Sequence, residues 1–334
     1  MRAWEVREAI GVDGLVLNRE RPDPRPGPGQ IVVRVRANSL NYRDQGVVKG
    51  AYGYTKFPVI PLSDGAGEVA EVGPGVTQFK AGDRVAGTFF VNWVGGRIPP
   101  DAGRNSLGGM IDGMLCEYAL LNETGAIKIP DYLSFERAAT LPCAALTAWH
   151  ALVESGHIRA GETVAILGTG GVSCFGLSFA KMHGAHVFLT SSSDEKLARG
   201  KAMGADTLIN YKTTPDWDEA VLKQSGGGVD HVLEVGGAGT LERSMNAVRP
   251  GGSIYVIGAL AGPGGINPRM INRRSIRLQG IHVGSRDMFA AMNKAIALAK
   301  LEPAIDRTFA FEDAKAAYAY QQAGGHFGKI VITR

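Results

Sequence analysis

The chain has 334 residues, of which 45% are hydrophobic and 20% are charged. This length favours two domains, and the apolar content excludes a disordered chain, which could not offset its conformational entropy. The 36 basic and 32 acidic residues leave a net charge of +4. Because no run concentrates the basic residues, we expect no nucleic-acid partner. The 46 glycines follow no collagen period, so they predict turns and close backbone approaches.

Cysteine usage and the N-terminus indicate the cellular compartment. Cys116, Cys143 and Cys174 lie far apart and form no C-x-x-C pair, which argues against a disulfide framework and against a structural zinc site. The N-terminus lacks the apolar run of a secretory signal, and no apolar run reaches the roughly 18 residues that predict a membrane span. We therefore expect a soluble cytoplasmic protein with no membrane partner.

The first third of the chain predicts short strands joined by turns. Residues 21–29 alternate proline with polar residues and glycine, which indicates a stiff extended connector. Residues 31–36 then alternate apolar and basic side chains at their end, as in a half-buried strand, and residues 67–72 and 84–86 predict further strands beside glycine turns. Strands at this spacing predict a small, mainly antiparallel barrel or sandwich.

From about residue 141 the pattern alternates helices with short apolar strands. The predicted strands are 163–167, 187–190, 207–209, 232–235 and 253–257, followed by an alanine-rich helix at 288–301 and a closing strand at 329–332. Continuous apolar runs indicate parallel strands that helices cover on both faces, and the alternation is typical of a doubly wound α/β sheet. We place this second domain at residues 131–280. The first domain then comprises residues 1–130 and 281–334, because the closing strand returns to it.

A glycine loop follows the first of these apolar strands. Residues 168–173 (GTGGVS) end the strand and open a helix, which is the context in which such a loop binds a dinucleotide. The first glycine permits the turn, the second lets the backbone approach a pyrophosphate, and the helix N-terminus offers free N–H groups. The alternative is a purely structural turn, but five strands in order favour a dinucleotide site. The expected cofactor contacts are Gly168, Gly170, Gly171 and Val172.

The end of the second apolar strand bears on which dinucleotide binds. An acidic residue about 20 residues past the loop would bind the ribose of NAD, but Ser191 and Ser192 stand there, with Lys196 one turn further on. Hydroxyls and an ammonium suit the 2′-phosphate of NADP, which a carboxylate would repel. Ser192 and Glu195 also fit an S-x-x-E capping box, so the alternative is that the serines only cap a helix. We expect NADP(H) as the cofactor.

Several ordered motifs resemble those of the medium-chain dehydrogenase/reductase superfamily. They are residues 61–69 (PLSDGAGEV), 79–85 (FKAGDRV), 141–149 (LPCAALTAW), the glycine loop and 328–331 (GKIV). The resemblance extends over most of the chain. It implies an α/β protein with a GroES-like β-barrel catalytic domain, completed by the C-terminal segment, and an inserted doubly wound Rossmann cofactor domain.

The chain differs from the zinc-dependent alcohol dehydrogenases of this superfamily at the positions of the zinc ligands. Those enzymes have a catalytic cysteine where this chain has Asn41 and a metal-binding histidine where it has Ser63, so only Cys143 falls at a ligand position. Catalytic zinc takes three protein ligands and one open position. The four-cysteine lobe that holds structural zinc is also missing between residues 85 and 117. We expect no metal, and Cys143 as a small buried apolar residue.

Without zinc, the chain is more similar to the quinone oxidoreductase and enone reductase branch, which has an N-x-x-D segment like Asn41 to Asp44. In that branch a lysine after the second strand and a tyrosine after the third contact the 2′-phosphate, and Lys196 and Tyr211 match those positions. The resemblance also implies that Lys329 approaches the pyrophosphate. Further cofactor contacts that it implies are Thr147, Gly258, His282 and Val283.

We expect hydride transfer from NADPH to a conjugated enone or quinone. An ordinary carbonyl reduced without a Lewis acid would leave its developing alkoxide poorly stabilised, whereas an enone or quinone spreads the charge. Asn41 would donate a hydrogen bond to the acceptor oxygen, Tyr42 or solvent would supply a proton, and Asp44 would orient its neighbours. Each of these residues has a structural alternative, as a turn-forming residue or a rim residue.

Two other functions stay open from the sequence. One is an alcohol dehydrogenase-like oxidoreductase acting on alcohols or aldehydes, and the other is a non-catalytic NADPH-binding protein. The enzyme's partner would be a small-molecule carbonyl, enone or quinone. The resemblance also implies a homo-oligomer, either a dimer or a tetramer.

Overall fold

The computed structural model describes residues 1–53, 55–258 and 264–334, which form two compact units. The first unit comprises Met1–Leu146 and Gly284–Arg334, and the second comprises Thr147–Val283.

The strands, helices and helical turns of the described residues follow in chain order. The strands are β1 (Ala3–Val6), β2 (Leu15–Asn18), β3 (Gln30–Ser39), β4 (Asp64–Val72), β5 (Arg84–Gly87), β6 (Tyr118–Asn122), β7 (Ala126–Lys128), β8 (Thr163–Leu167), β9 (His186–Ser191), β10 (Thr207–Asn210), β11 (Val229–Glu234), β12 (Val248–Val256), β13 (Arg277–Gly280), β14 (Ile305–Ala310) and β15 (Lys329–Thr333). The α-helices are α1 (Tyr42–Val48), α2 (Phe135–Ala138), α3 (Leu146–Trp149), α4 (Gly171–Met182), α5 (Asp194–Ala202), α6 (Trp217–Gln224), α7 (Leu241–Ala247), α8 (Pro268–Arg274), α9 (Arg286–Ala299) and α10 (Ala314–Gln322). Leu141–Ala145 and His150–Ser155 are π-helical, and short 3₁₀ turns cover Gly11–Gly14, Ala102–Asn105, Glu123–Gly125 and Phe311–Asp313.

The boundary of the second unit differs from the predicted one. The sequence places it at residues 131–280, whereas the structure begins the unit at Thr147 and ends it at Val283. Residues 131–146 belong to the first unit because they bond to its elements. The Tyr132 hydroxyl, for example, donates to the carbonyls of Ile296 and Leu301 at the end of α9.

The first unit is built on a seven-stranded sheet in the order β14-β15-β3-β4-β5-β7, with β6 paired to β3. All of its pairings are antiparallel except that of β14 with β15. The closing strand β15 pairs with β3, with Val331 opposite Ser39, so the C-terminal segment returns to this unit as the sequence predicts. The side chains on the inner face of β3 are fully buried in the core of the unit, as Ile31, Val33 and Val35 show.

The second unit is a six-stranded parallel sheet in the order β10-β9-β8-β11-β12-β13. In chain order this is 3-2-1-4-5-6, the doubly wound Rossmann arrangement, so the predicted fold class is confirmed. Apolar side chains are buried on both faces of the central strands, with Val164 in one core cluster and Ala165 in the other. The five predicted strands are present. The sixth, β13, was missed because its alternation of charged, apolar and polar residues gives no apolar run.

No helix in the described part of the chain is long and apolar enough to cross a membrane.

Gly67 shows how closely β3 and β4 approach each other. A Cβ added at Gly67 would lie 2.0 Å from the carbonyl oxygen of Arg34 in the paired strand, so the two strands would have to separate. We expect Gly67→Ala to destabilise the first unit by about 1–3 kcal/mol through overpacking, measured by urea denaturation. The matched control is Gly325→Ala, where an added Cβ meets no atom within 4 Å. An equal loss of stability in both variants would contradict the role of this close contact.

Candidate active site

The glycine loop joins β8 to α4 in the second unit. Gly168 has φ +72°, a conformation that glycine adopts without strain. Gly170 is the N-cap of α4 and provides no side chain to cap it, and a Cβ added there would meet open space. Ser173 closes the loop, because its hydroxyl donates to the carbonyl of Leu167 at 2.7 Å.

This geometry fits a dinucleotide pyrophosphate. Gly171 and Val172 begin the helix, so their backbone N–H groups lie among the first N–H groups of α4, which no intrahelical carbonyl accepts. The open space at Gly170 lets an anion approach these N–H groups. The four residues predicted from the loop are therefore brought together at one helix N-terminus, and their contact with a cofactor stays a prediction.

The residues predicted to select the cofactor lie where β9 and β10 end. The backbone N–H of Tyr211 donates to the carbonyl of Ser191 at 3.0 Å, which places the half-exposed tyrosine beside the serine. Lys196 lies in the first turn of α5. The helix cap is one residue later than the sequence predicts, because Ser193 rather than Ser192 accepts the Lys196 N–H, at 3.3 Å. The capping box of Ser192 and Glu195 is therefore wrong.

One of the two nearby acidic residues forms a hydrogen bond with another segment. The Asp194 carboxylate accepts a hydrogen bond from the side-chain amide of Asn210 at 2.7 Å. This bond ties the start of α5 to the end of β10. The residues predicted to contact a 2′-phosphate remain Ser191, Ser192, Lys196 and Tyr211.

Other predicted cofactor residues have structural partners of their own. Gly258 must be glycine because an added Cβ would lie 1.7 Å from the carbonyl oxygen of Val235. Val283 has φ +52°, a strained conformation for a β-branched residue, and its carbonyl is 2.8 Å from Nδ1 of His150. Thr147 is buried and His282 is exposed. Their cofactor roles stay predictions.

Sequence reasoning missed the carboxylate that organises the loop after β11. Glu234 is fully buried and accepts hydrogen bonds from the N–H groups of Gly236 and Gly237, at 2.7 and 3.0 Å. It also accepts from the hydroxyls of Thr240 and Ser244. The loop lies at the carboxyl edge of the sheet, where ligands bind in doubly wound folds. The only signal in the sequence was an acidic residue at the end of an apolar strand.

In the first unit, Asn41 and Asp44 start helix α1. Asn41 is the N-cap in an extended conformation, and its backbone N–H donates to Oδ2 of Asp44 at 2.7 Å. Burial raises the pKa of Asp44 to about 6, although the Arg43 guanidinium at 3.5 Å opposes that shift. The Tyr42 side chain is 64% exposed. Asp44 therefore orients the turn that carries Asn41, whereas Tyr42 is open to solvent.

Lys329 has partners other than a cofactor phosphate. It is 3% exposed, and its Nζ donates to the carbonyl of Leu40 at 2.5 Å and to Oδ1 of Asn41 at 2.6 Å. Oδ2 of Asp64 lies 4.0 Å from the same nitrogen. The Nδ2 of Asn41 is buried and makes no hydrogen bond of normal geometry among the described residues, although the Asn41 side chain lies near enough to Asp64 to lower the pKa of that carboxyl.

Asp64 is the second buried carboxylate of this group. Burial raises the pKa of Asp64, while Lys329 and the Asn41 side chain act against that shift. The carboxylate accepts from the Ser63 hydroxyl at 2.8 Å and from the Cys143 N–H at 3.3 Å. The structure thus brings together Asn41, Ser63 and Cys143, the three positions that the family resemblance assigns to zinc ligands.

These three residues do not fit a zinc ion. The Asn41 oxygen is bonded to an ammonium, and the Ser63 hydroxyl donates to Asp64. Cys143, half-buried rather than buried as the sequence predicts, is the only one of the three whose side chain is a usual zinc ligand, whereas catalytic zinc takes three protein ligands. Within residues 1–53, 55–258 and 264–334, no three His, Cys, Asp or Glu residues are grouped so that they could hold a metal ion.

Two family models match the chain. The model of the alcohol dehydrogenase GroES-like domain matches residues 27–131, and that of the zinc-binding dehydrogenase domain matches residues 171–298. The first match lies within the first unit, and the second covers residues 171–283 of the second unit and continues into the first.

Known proteins similar to this chain cover nearly all of it. It is 42% identical to a zinc-type alcohol dehydrogenase-like protein of Schizosaccharomyces pombe, over 97% of this chain and 96% of that protein. An NAD-dependent alcohol dehydrogenase structure is 32% identical, with a TM-score of 0.90 and 100% of both chains covered. A quinone oxidoreductase structure from Pseudomonas syringae is 28% identical, with a TM-score of 0.85 over 100% of this chain and 99% of that one. The chain therefore belongs to the medium-chain dehydrogenase/reductase superfamily, whose members are oxidoreductases that use a nicotinamide cofactor.

Proposed function

We propose that this protein is an NADPH-dependent reductase of a conjugated enone or quinone, and that it works without zinc. The observation that carries the proposal is the buried amide of Asn41, whose oxygen accepts from Lys329 and whose nitrogen makes no hydrogen bond of normal geometry among the described residues. A buried donor without a partner costs about 1–3 kcal/mol. We infer that the oxygen of a substrate accepts its hydrogen bond. The similarity to a quinone oxidoreductase supports this substrate class.

The absence of zinc follows in this proposal from the donor set. Asn41 and Ser63 replace a cysteine and a histidine, and both are already engaged in hydrogen bonds. A neutral amide stabilises a developing oxyanion less than a Lewis acid does. An acceptor that spreads its negative charge over a conjugated system needs less stabilisation, and for this reason an enone or quinone suits the site better than a simple aldehyde.

The choice of NADPH over NADH is supported by the ends of β9 and β10. Ser191 and Ser192 offer hydroxyls, Lys196 offers an ammonium, and Tyr211 is fixed beside Ser191 by a backbone hydrogen bond. Of the two neighbouring carboxylates, Asp194 and Glu195, Asp194 is bonded to the amide of Asn210. Donors and a cation at this place suit a phosphate dianion, because charge-assisted hydrogen bonds to phosphate are the strong ones.

The residues of the first unit would assist the reaction in separate ways. Bound NADPH supplies a hydride to the electrophilic carbon of the acceptor. The Nδ2 group of Asn41 donates to the acceptor oxygen, on which negative charge develops. Asp44 holds the backbone N–H of Asn41 and so fixes the start of α1. One proton, from solvent or from the exposed hydroxyl of Tyr42, completes the reduction at carbon for an enone or at oxygen for a quinone.

Two alternative functions also have support. The similarity to alcohol dehydrogenases supports an oxidoreductase acting on alcohols or aldehydes, and the glycine loop alone is equally compatible with a non-catalytic NADPH-binding protein. A cytoplasmic location and a dimeric or tetrameric assembly stay predictions.

The first experiment is a turnover assay of the purified protein with metal analysis. We expect steady NADPH oxidation with a panel of quinones and enones, substoichiometric zinc, and no loss of rate on chelation. Near-stoichiometric zinc that is lost together with activity would contradict the proposal. Turnover restricted to alcohols would favour the alcohol dehydrogenase function, and tight NADPH binding without turnover would favour the non-catalytic one.

The cofactor preference depends on Lys196. We expect Lys196→Ala to raise the Kd of NADPH by about tenfold or more, since a hydrogen bond to a charged group contributes 1.5–3 kcal/mol, and to leave the Kd of NADH unchanged. Fluorescence titration measures both constants. Lys201→Ala on the same helix is the matched control, because its ammonium bonds to the carbonyl of Asp206. Tighter binding of NADH than of NADPH in the parent protein, unaffected by Lys196→Ala, would overturn this preference.

The contribution of Asn41 is tested by removing its amide. We expect Asn41→Ala to lower kcat by about 100-fold, the effect of deleting one donor to an oxyanion, with the Kd of NADPH unchanged. Asn18→Ala is the control, because the Asn18 amide bonds to Glu5 in the same unit. If Asn41→Ala retained the parent kcat, Asn41 would be a structural cap only.

A further inference from the structure

Lys329 is held inside the first unit by the backbone that precedes it. Gly328 has φ +77°, and a Cβ added there would lie 2.5 Å from the carbonyl oxygen of Ala304. Only glycine fits this turn without strain. The turn leads into β15 and directs the side chain of Lys329 into the interior, where it is 3% exposed.

The acceptors of the Lys329 ammonium lie directly after β3, the strand that pairs with β15. The N–H of Leu40 donates to the carbonyl of Ile330 at 3.1 Å, and the hydroxyl of Ser39 donates to the same carbonyl at 2.9 Å. The lysine and its two acceptors, the Leu40 carbonyl and the Asn41 amide, are therefore held by one pair of strands. The 2.5 and 2.6 Å contacts of Nζ follow from this pairing.

The ammonium decides which way the Asn41 amide faces. An ammonium has three donors and no acceptor, so only Oδ1 of Asn41 can face it. The Nδ2 group must then point away from Lys329, and it is the atom that makes no hydrogen bond of normal geometry among the described residues. The positive charge next to Oδ1 also polarises the amide, which makes its N–H groups stronger donors in a low-dielectric interior.

The nearby carboxylate does not compete with Asn41 for the Lys329 ammonium. Asp64 is the nearest carboxylate, but its Oδ2 is 4.0 Å from Nζ, well beyond the distance to Asn41. The oxygens of Asp64 are bonded to the Ser63 hydroxyl and the Cys143 N–H. The two short contacts of Lys329 are those to Leu40 and Asn41.

We propose that Lys329 is a positioning residue that acts through Asn41, fixing and polarising the amide that donates to the acceptor oxygen, and that it does not bind the cofactor pyrophosphate. This inference rests on the proposed reductase function, because it assigns Asn41 a substrate oxygen. It adds a cationic residue to that function, with no contact between the cation and the substrate.

The test is a double-mutant cycle on the full-length protein with Lys329→Met, Asn41→Ala and both changes together. We expect Lys329→Met to lower kcat by about tenfold. This is the effect of losing roughly 1.4 kcal/mol of transition-state stabilisation by the hydrogen bond that the Asn41 amide donates. The Kd of NADPH stays within about twofold of the parent value, since no phosphate contact is removed. The double variant is no slower than Asn41→Ala alone, because the lysine acts through the amide.

Two results would overturn the proposal. A rise in the Kd of NADPH with an unchanged kcat would assign Lys329 to the cofactor, and multiplied losses in the double variant would show that the two residues act independently. The matched control is Lys181→Met, because the Lys181 ammonium also bonds to one carbonyl and one side-chain oxygen, at 2.8 and 2.7 Å, in the second unit. It leaves kcat unchanged.

If Lys329→Met does not fold, Lys329→Arg replaces it in the cycle. Arginine keeps the charge that a pyrophosphate would need, but its larger planar group cannot reproduce the compact contacts to Leu40 and Asn41. We expect a lowered kcat with an unchanged Kd of NADPH. A parent-like kcat would overturn the proposal.

Failure of the reductase function itself would be visible in the parent protein as an absence of turnover. The Lys329–Asn41 contact is then measured without activity, by urea denaturation of the same four proteins. Coupling of the two changes by about fivefold or more in the unfolding equilibrium constant supports the contact. Additive effects on stability overturn it.

Discussion

The antiparallel pairing of β15 with β3 is the contact on which the candidate site of the first unit depends. It joins Lys329 to Leu40 across 289 positions of the chain. Closing so long a loop costs conformational entropy, and the burial of Ile330, Val331 and Ile332 in the same strand offsets that cost. A single pairing thus supplies core packing and places an ammonium next to the N-cap of α1.

That ammonium lies near two buried carboxylates whose charged forms would be unfavourable without partners. Two buried carboxylates, Asp44 and Asp64, are surrounded by an arginine, a lysine, backbone N–H groups and a hydroxyl. A buried charge is tolerated only when it is paired and hydrogen-bonded. In the proposed reductase, these fixed groups provide the electrostatic environment that a metal ion supplies in zinc-dependent relatives.

The predictable part of the fold consists of features with a strong local signal. Apolar runs such as residues 163–167 predict buried parallel strands, because helices cover both faces of the sheet. The edge strand β13 and the short helix α1 gave no such signal: the first alternates charged, apolar and polar residues, and the second depends on the bond between Asn41 and Asp44. The same holds for the unit boundary, which depends on contacts of residues 131–146 with distant elements.

The candidate site likewise has residues that the sequence predicts and residues that it does not. The glycine loop and the residues around Ser191 are contiguous in sequence, so their chemistry could be interpreted directly from residue types. Glu234 was missed, because its importance lies in the backbone groups that fold around it. Lys329 was predicted from a family resemblance as a cofactor contact, and the structure gives it the Asn41 amide as a partner.

By itself, the sequence determined the class of protein, the alternation of strands and helices in the second unit and the position of the glycine loop, because these depend on neighbouring residues and on periodic burial. The family resemblance further implies that Asn41 and Ser63 stand where zinc-dependent relatives have metal ligands. Only the tertiary structure decided that Asn41, Asp64, Cys143 and Lys329 surround one point in the first unit. The physical reason is that their contacts join segments far apart in the chain, and no local pattern encodes which of them meet.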